Sequence, residues 1–192
     1  GSIVIDSDGD GIGDGFVGAV TNAGKAEIKG IEFEGMFALT ENFTATAAFS
    51  LLDAEYKEFI VNDVNIADQV AIQNTPEEMF NVNLNYDMDV ANGALLWGLN
   101  WSYKGDIVQY EYIAPDIDQD AYSLFNASIT WVSDDDTWLV GLYARNLTDE
   151  LIKTSGYCFG FTGCPSALGA EDNTTIFYAP PRTFAVAVEY RF

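Results

Sequence analysis

The chain contains no histidine, and its Lys and Arg total 8 against 30 Asp and Glu, a formal net charge of -22. Without imidazole there is no Ser-His or Cys-His catalysis and no histidine metal site. So few basic residues exclude nucleic acid as a partner, because phosphate binding needs clustered positive charge. An anionic inner-leaflet surface is excluded for the same reason. Only two cysteines are present, too few for a four-cysteine zinc site. No apolar run approaches the roughly 18 residues expected of a transmembrane helix. Gly1 to Gly15 has neither the basic start nor the apolar stretch of a signal peptide. A removed signal or an N-terminus far upstream is therefore expected.

What is there points elsewhere. Aromatic residues make up 14% of the 192 and mean hydropathy is +0.03, whereas a disordered acidic chain would be poor in aromatics. The dominant signal is alternation with period two, in segments of about ten residues. Phe80, Val82, Leu84, Tyr86 and Met88 alternate with Asn81, Asn83, Asn85 and Asp87. Leu95, Trp97, Leu99, Trp101 and Tyr103 lie opposite Asn100, Ser102, Lys104 and Asp106. Phe184, Val186, Val188, Tyr190 and Phe192 lie opposite Thr183, Glu189 and Arg191. Four further segments share the period: Ile31 to Leu39 against Glu32 and Glu34, Phe43 to Leu51, Phe125 to Trp131, and Trp138 to Ala144. Seven strands are predicted, with no competing helix.

The connections alternate between short and long. Short polar turns fall at Thr40 to Asn42, Asp89 to Gly93 and Ser133 to Thr137; long links run over Lys57 to Pro76, Gln109 to Asp120 and Asp149 to Ala179. A membrane barrel has short periplasmic turns and long outer loops. Aromatics flank every short turn on the apolar face: Phe37 and Phe43, Tyr86 and Trp97, Trp131 and Trp138. Rings at one end of each strand are what an interfacial girdle requires. The rival is a soluble β-sandwich with an aromatic core. Seven strands would leave two open edges that lipid cannot satisfy, so the chain reads as part of something larger. Ile3 to Ile5 could be the end of an eighth strand.

Several short motifs now carry a resemblance: Asn22-Ala23-Gly24-Lys25 followed by Gly30-Ile31-Glu32-Phe33-Glu34, then Asn74-Thr75-Pro76, Asn146-Leu147-Thr148-Asp149, and Ala179-Pro180-Pro181-Arg182-Thr183. In order and spacing they resemble the TonB-dependent receptor family from Asn22 onward. Leu151, where the family usually carries an aromatic, and the acidic Glu77 and Glu78 depart from its pattern. The resemblance implies an all-β, antiparallel transmembrane β-barrel segment, about seven strands plus a partial one of a plugged barrel of about 22 strands. Residues 1–25 would be a partial strand and an extracellular Asp/Gly-rich loop, and residues 26–192 the C-terminal strands. It further implies the Gram-negative outer membrane, with lipid bilayer and lipopolysaccharide around the wall. TonB would be engaged through a region upstream. The implied activity is uptake of a scarce nutrient (ferric siderophore, cobalamin or oligosaccharide), without catalysis. The last strand of the family ends in an aromatic read by the barrel-assembly machinery, and Phe184, Val186, Val188, Tyr190 and Phe192 are similar to that signal. The alternative is a small standalone barrel with an adhesion or structural role. A lipid hydrolase would want a histidine base.

Two loops carry chemistry of their own. Asp6, Asp8, Asp10, Ile12 (through its carbonyl) and Asp14 fall at calcium-ligand positions of an EF-hand-like loop, with Gly11 at the sharp turn. Val17 stands where the bidentate Glu would be, so either weak Ca2+ binding or a flexible acidic loop is expected. Cys158 and Cys164 bracket a short span in the longest outer loop, where an oxidising compartment predicts a disulfide. Glu32, Glu34, Asn81, Asn83, Asn85, Asn100, Lys104, Asp106, Arg145, Glu189 and Arg191 would face the lumen, lining a substrate path or hydrating the wall. Tyr157, Phe159, Phe161, Phe177 and Tyr178 would meet a ligand at the outer mouth or pack the loop.

Overall fold

Alternating side chains commit these segments to strands, because only a pleated chain puts every second residue on one face. A computed structural model describes residues 2–5, 15–18, 24–61, 63–110, 116–158 and 174–192. The strands in chain order are β1 (Ser2–Ile5), β2 (Gly15–Gly18), β3 (Gly24–Thr40), β4 (Phe43–Val61), β5 (Val64–Asn65), β6 (Glu78–Val90), β7 (Gly93–Lys104), β8 (Tyr122–Ser133), β9 (Trp138–Arg145), β10 (Lys153–Cys158), β11 (Thr174–Tyr178) and β12 (Thr183–Tyr190). Seven of them form one antiparallel sheet in the order β12-β9-β8-β7-β6-β4-β3, and the two-residue β5 pairs with the end of β4 as an eighth. The seven are the strands read from the alternation.

Two extensions were not visible in the apolar pattern. β3 and β4 run on together past the apolar stretch, pairing as far as Gly24 with Phe59, so the link expected to start at Lys57 is strand up to Val61. The reason is that the outer face turns polar there, with Glu27, Lys29, Asp53 and Glu55 in place of apolar residues, while Ile28, Ala54 and Tyr56 fall on the opposite face. Ser2–Ile5 is a strand, and its partner is Gly15–Gly18 in a separate two-stranded hairpin. A second hairpin, β10–β11, rises from the long link after β9.

The short turns are held locally. Between β6 and β7, Asn92 has φ 67° and Gly93 φ 154°, and a Cβ on Gly93 would stand 2.1 Å from the Val132 carbonyl oxygen. Only glycine fits there. Between β8 and β9, Asp135 accepts from the Ser133 hydroxyl at 2.7 Å and the Thr137 amide at 3.1 Å. The Asp136 amide closes the same turn on the Ser133 carbonyl at 2.9 Å.

The sheet has no hydrophobic core of its own. Most of its large apolar side chains stand on the outer face, while Met36, Leu52, Met79, Leu96, Leu124 and Leu139 fall on the inner one. Phe33, Phe37, Leu99, Leu142 and Phe184 are all exposed. A soluble sandwich would bury that face against a second sheet. Here it is the solvent that must be apolar.

Candidate functional site

Register turns the strand pattern into three surfaces. On the outer face, Phe33, Phe49, Phe80 and Tyr103 form a continuous row, with successive ring centroids 5.6, 6.4 and 5.8 Å apart. Six positions below, Phe43 packs edge-on to Tyr86 at 6.2 Å, and Trp97 pairs with Tyr86 across β6–β7. Trp138 against Tyr190 at 4.8 Å continues this lower row to the last strand. Only the lower girdle was legible in the sequence. The upper one lies far from any turn and emerges when register aligns four single aromatics.

Directly above the upper row the outer face becomes charged. Ile31 pairs with Leu51, and two positions on Lys29 pairs with Asp53. The Lys29 ammonium bonds Glu27 at 2.6 Å, and Lys57 bridges Glu27 at 3.7 Å and also contacts Glu55. Glu27 is held below the usual carboxylate range, first by the hydrogen bond from Lys29 and then by its charge. Lys29 is raised by the same bond. The apolar band ends between Ile31 and Lys29.

The inner face is a polar wall. Thr46, Asn83, Asn100 and Asn126 stand opposite one another on four successive strands. Their side chains join head to tail: Asn126 Nδ2 donates to Asn100 Oδ1 at 3.0 Å, Asn100 Nδ2 to Asn83 Oδ1 at 2.8 Å, and Asn83 Nδ2 to Thr46 Oγ1 at 3.1 Å. The Asn146 amide donates into the same chain, to Asn126 Oδ1 at 3.0 Å. Sequence reading placed Asn81, Asn83, Asn85 and Asn100 on this face, and missed the roles of Asn126 and Asn146. Beside the ladder a hollow of about 260 Å³ opens over Gly98, ringed by Asn85, Ser128, Tyr143 and Arg145. Its floor is open because Gly98 has no side chain; a Cβ there would meet Ser128 Oγ at 2.7 Å.

The expected lumen charges divide. Asp106 accepts the Ala121 amide at 2.7 Å and so closes a loop. Arg191 bonds Glu189 at 2.8 Å. Among the described residues Glu32, Glu34, Lys104 and Arg145 form no ion pair, and all four are exposed.

The third surface is one of the two free edges of the sheet, the one at β12. β12 pairs with β9 on one side, and among the described residues with no strand on the other. Phe184, Val186, Val188 and Tyr190 stand in one stripe along it, 72%, 70%, 63% and 52% exposed, with Phe192 beyond. The sequence patterns of known protein families decide what such a wall belongs to: the family described as "TonB dependent receptor-like, beta-barrel" matches residues 2–147.

The chain belongs to that family.

No curated protein sequence matches the chain. Solved uptake receptors share its fold. The ferric yersiniabactin uptake receptor FyuA from Yersinia pestis aligns with a TM-score of 0.71 at 19% identity, over 89% of this chain and 24% of the receptor. BauA, the ferric preacinetobactin receptor from Acinetobacter baumannii, gives 0.61 at 17% identity over 91% and 23%. The siderophore receptor PiuA from Acinetobacter baumannii gives 0.60 at 14% identity over 85% and 21%. The chain thus spans about a quarter of the length of these receptors. The sheet β12-β9-β8-β7-β6-β4-β3 is a segment of a TonB-dependent receptor barrel.

The family motifs acquire a physical meaning in this fold. Asn146 and Asp149 both adopt left-handed backbone conformations, φ 52° and 58°. The Asn146 carboxamide closes on Glu150, accepting its amide at 2.8 Å and donating to its carbonyl at 2.9 Å. Asp149 then receives the Arg182 amide at 2.8 Å. The segment ending β9 therefore grips the one that starts β12. The acidic loop of Asp6, Asp8, Asp10, Ile12 and Asp14 lies outside the described residues. So do Cys164, Phe159 and Phe161, together with the side chains of Tyr157 and Cys158. Phe177 and Tyr178 end β11, both about half exposed.

Proposed function

We infer that this chain is wall and outer rim of an outer-membrane receptor for active uptake of a scarce nutrient, with a ferric siderophore as the leading cargo. What supports the reading is the combination of family with a wall polar inside and apolar outside. The solved receptors of the same fold are named for ferric siderophores or as siderophore receptors. Cobalamin and oligosaccharide are the other cargo classes. TonB, engaged through a region upstream, would supply the energy.

The residues act by binding and not by making bonds. Asn83 and Asn100 turn both side-chain N–H groups into the wall, the second one of each toward Asn81 Oδ1, so the ladder offers the lumen carbonyl lone pairs and the second N–H of Asn126. Such neutral contacts hold a polar solute weakly at many points, which lets it move on. The hollow beside Arg145 would take an anionic oxygen of the cargo. Along β12, the stripe ending in Phe192 would be captured by the barrel-assembly machinery through strand addition. A Cys158–Cys164 bridge and Ca2+ at Asp6 to Asp14 would stiffen outer loops. Mass analysis after thiol alkylation without reductant tests the bridge, and unlabelled cysteines are expected.

The deciding experiment is uptake of 55Fe-loaded siderophores by iron-starved cells with and without the gene. Loss of uptake of one siderophore, restored by the wild-type gene, supports the reading. Unchanged iron uptake combined with lost cobalamin or oligosaccharide uptake changes the cargo. No transport defect with any of them sinks it.

A further inference from the structure

Among the described residues the buried side chains other than glycine and proline gather at the outer mouth. Ile117 is fully buried, with Ile152 at 5%, and Gln109, Gln119 and Asn146 are the buried polar residues. All five belong to the connections after β7 and β9. A wall that exposes its apolar side chains to lipid has thus placed the buried side chains of its described residues in two loops.

The connection after β7 doubles back on itself. Ile107 and Gln119 exchange backbone hydrogen bonds at 2.8 and 3.0 Å, and the Gln109 amide donates to Asp118 Oδ1 at 2.9 Å. β10 then fastens it from the other side. The Lys153 amide donates to Gln119 Oε1 at 2.6 Å, and the Lys153 ammonium donates to the carbonyls of Asp116 and Asp118 at 2.9 and 2.8 Å. The Tyr110 hydroxyl donates to the Gly156 carbonyl. Gly156 is also the notch into which Ile117 fits. A Cβ there would stand 2.8 Å from Ile117 Cγ2 and 2.8 Å from the Thr175 carbonyl oxygen. The link after β4 joins the same unit, since the Asn74 amide donates to the Val108 carbonyl at 2.9 Å.

Buried polar groups with their partners in place are rigid, because opening them strands donors and acceptors away from water. An ammonium held by two backbone carbonyls fixes the ends of a loop in a way that a solvated surface ion pair does not. We propose that residues 105–110 and 116–121 together with strands β10 and β11 form one preformed rim, ordered before any cargo arrives. This side of the mouth is then a fixed wall against which a cargo is held.

Hydrogen exchange on the full-length receptor in detergent, with no cargo added, tests this. The amides of Ile107, Gln109, Gln119 and Lys153 are expected to exchange as slowly as those of β7 and β8. Gly156→Val should expel Ile117 and speed exchange at these four positions by about a hundredfold, leaving β6 to β8 unchanged. Lys153→Met, which removes only the ammonium, should produce a smaller rise at the same places. Fast exchange in the wild-type receptor overturns the proposal, as does protection that develops only when cargo binds. Either result leaves the uptake reading untouched.

Discussion

Arg182 and Asp149 are 33 positions apart, yet the Arg182 amide donates to the Asp149 carboxylate at 2.8 Å. The guanidinium adds a long contact at 3.8 Å and a bond to the Leu147 carbonyl at 3.2 Å. Both side chains are about half exposed, so the ion pair itself contributes little. The carboxylate-to-backbone bond is the stronger part. Asp149→Ala should therefore destabilise the full-length receptor by about 1 kcal/mol, and Arg182→Ala by less. Heat-dependent gel mobility of the folded barrel reads the order. A larger loss for Arg182→Ala would show that the guanidinium is the anchor.

The asparagine ladder predicts a cost that spreads across strands. Asn100→Leu removes the acceptor of Asn126 and the donor to Asn83 together. A loss of about 1–2 kcal/mol is expected, tempered because lumen water reaches the stranded groups. Urea unfolding of the refolded receptor in lipid vesicles measures it. An unchanged midpoint would mean that the ladder is hydrated surface with no structural part.

Adjacent faces of β7 should respond oppositely to one charge. Leu99 stands on the outer face between the two aromatic rows, and Ser102 on the inner one. Leu99→Arg should cost about 2–4 kcal/mol and lower the amount in the outer membrane. Ser102→Arg should be assembled normally. Equal losses for both would contradict the assignment of faces.

The β8–β9 turn carries a pH dependence of defined sign. Hydrogen bonds from Ser133 and Thr137 hold the Asp135 carboxyl below its ordinary value. A depressed folded-state pKa contributes stability that is present above the unfolded value and is lost as pH falls through the folded one. The turn should thus stay closed at neutral and mildly acidic pH and loosen only below the usual aspartate range. Exchange of the Thr137 amide followed from pH 7 downward reads it. Asp135→Asn should remove the dependence, and a wild-type turn that loosened near pH 6 would contradict it.

Much of this architecture was legible because lipid and water lie on opposite sides of each strand. Phe80 to Met88 and Leu95 to Tyr103 could not be anything but two-faced strands, and their partners follow from the short turns. Where the outer face meets water the apolar alternation stops, so the pattern shows β3 only from Ile31 and makes Lys57 the start of a link, although β4 runs on to Val61. The outer rim was hidden for a different reason. Ile117 and Gly156 are single residues in two loops, and nothing local says that one fills the space left by the other. Asn126 falls on the polar face of its strand with Ser128 and Thr130 from the alternation alone, but its place in the ladder appears only when register puts it opposite Asn100.

The change from Ile31 to Lys29 on the outer face also fixes a length. The apolar stripe of β3 runs from Ile31 to Leu39, eight steps of roughly 3.4 Å, or about 27 Å along the strand. At a tilt of about 40° that spans about 21 Å across the membrane, well short of the roughly 30 Å hydrocarbon depth of an average bilayer. A thicker membrane would draw Lys29, Asp53 and Glu27 into hydrocarbon or would have to thin around them. The wall is therefore cut for a thin bilayer, and hydrophobic mismatch alone would penalise its residence in any thicker one.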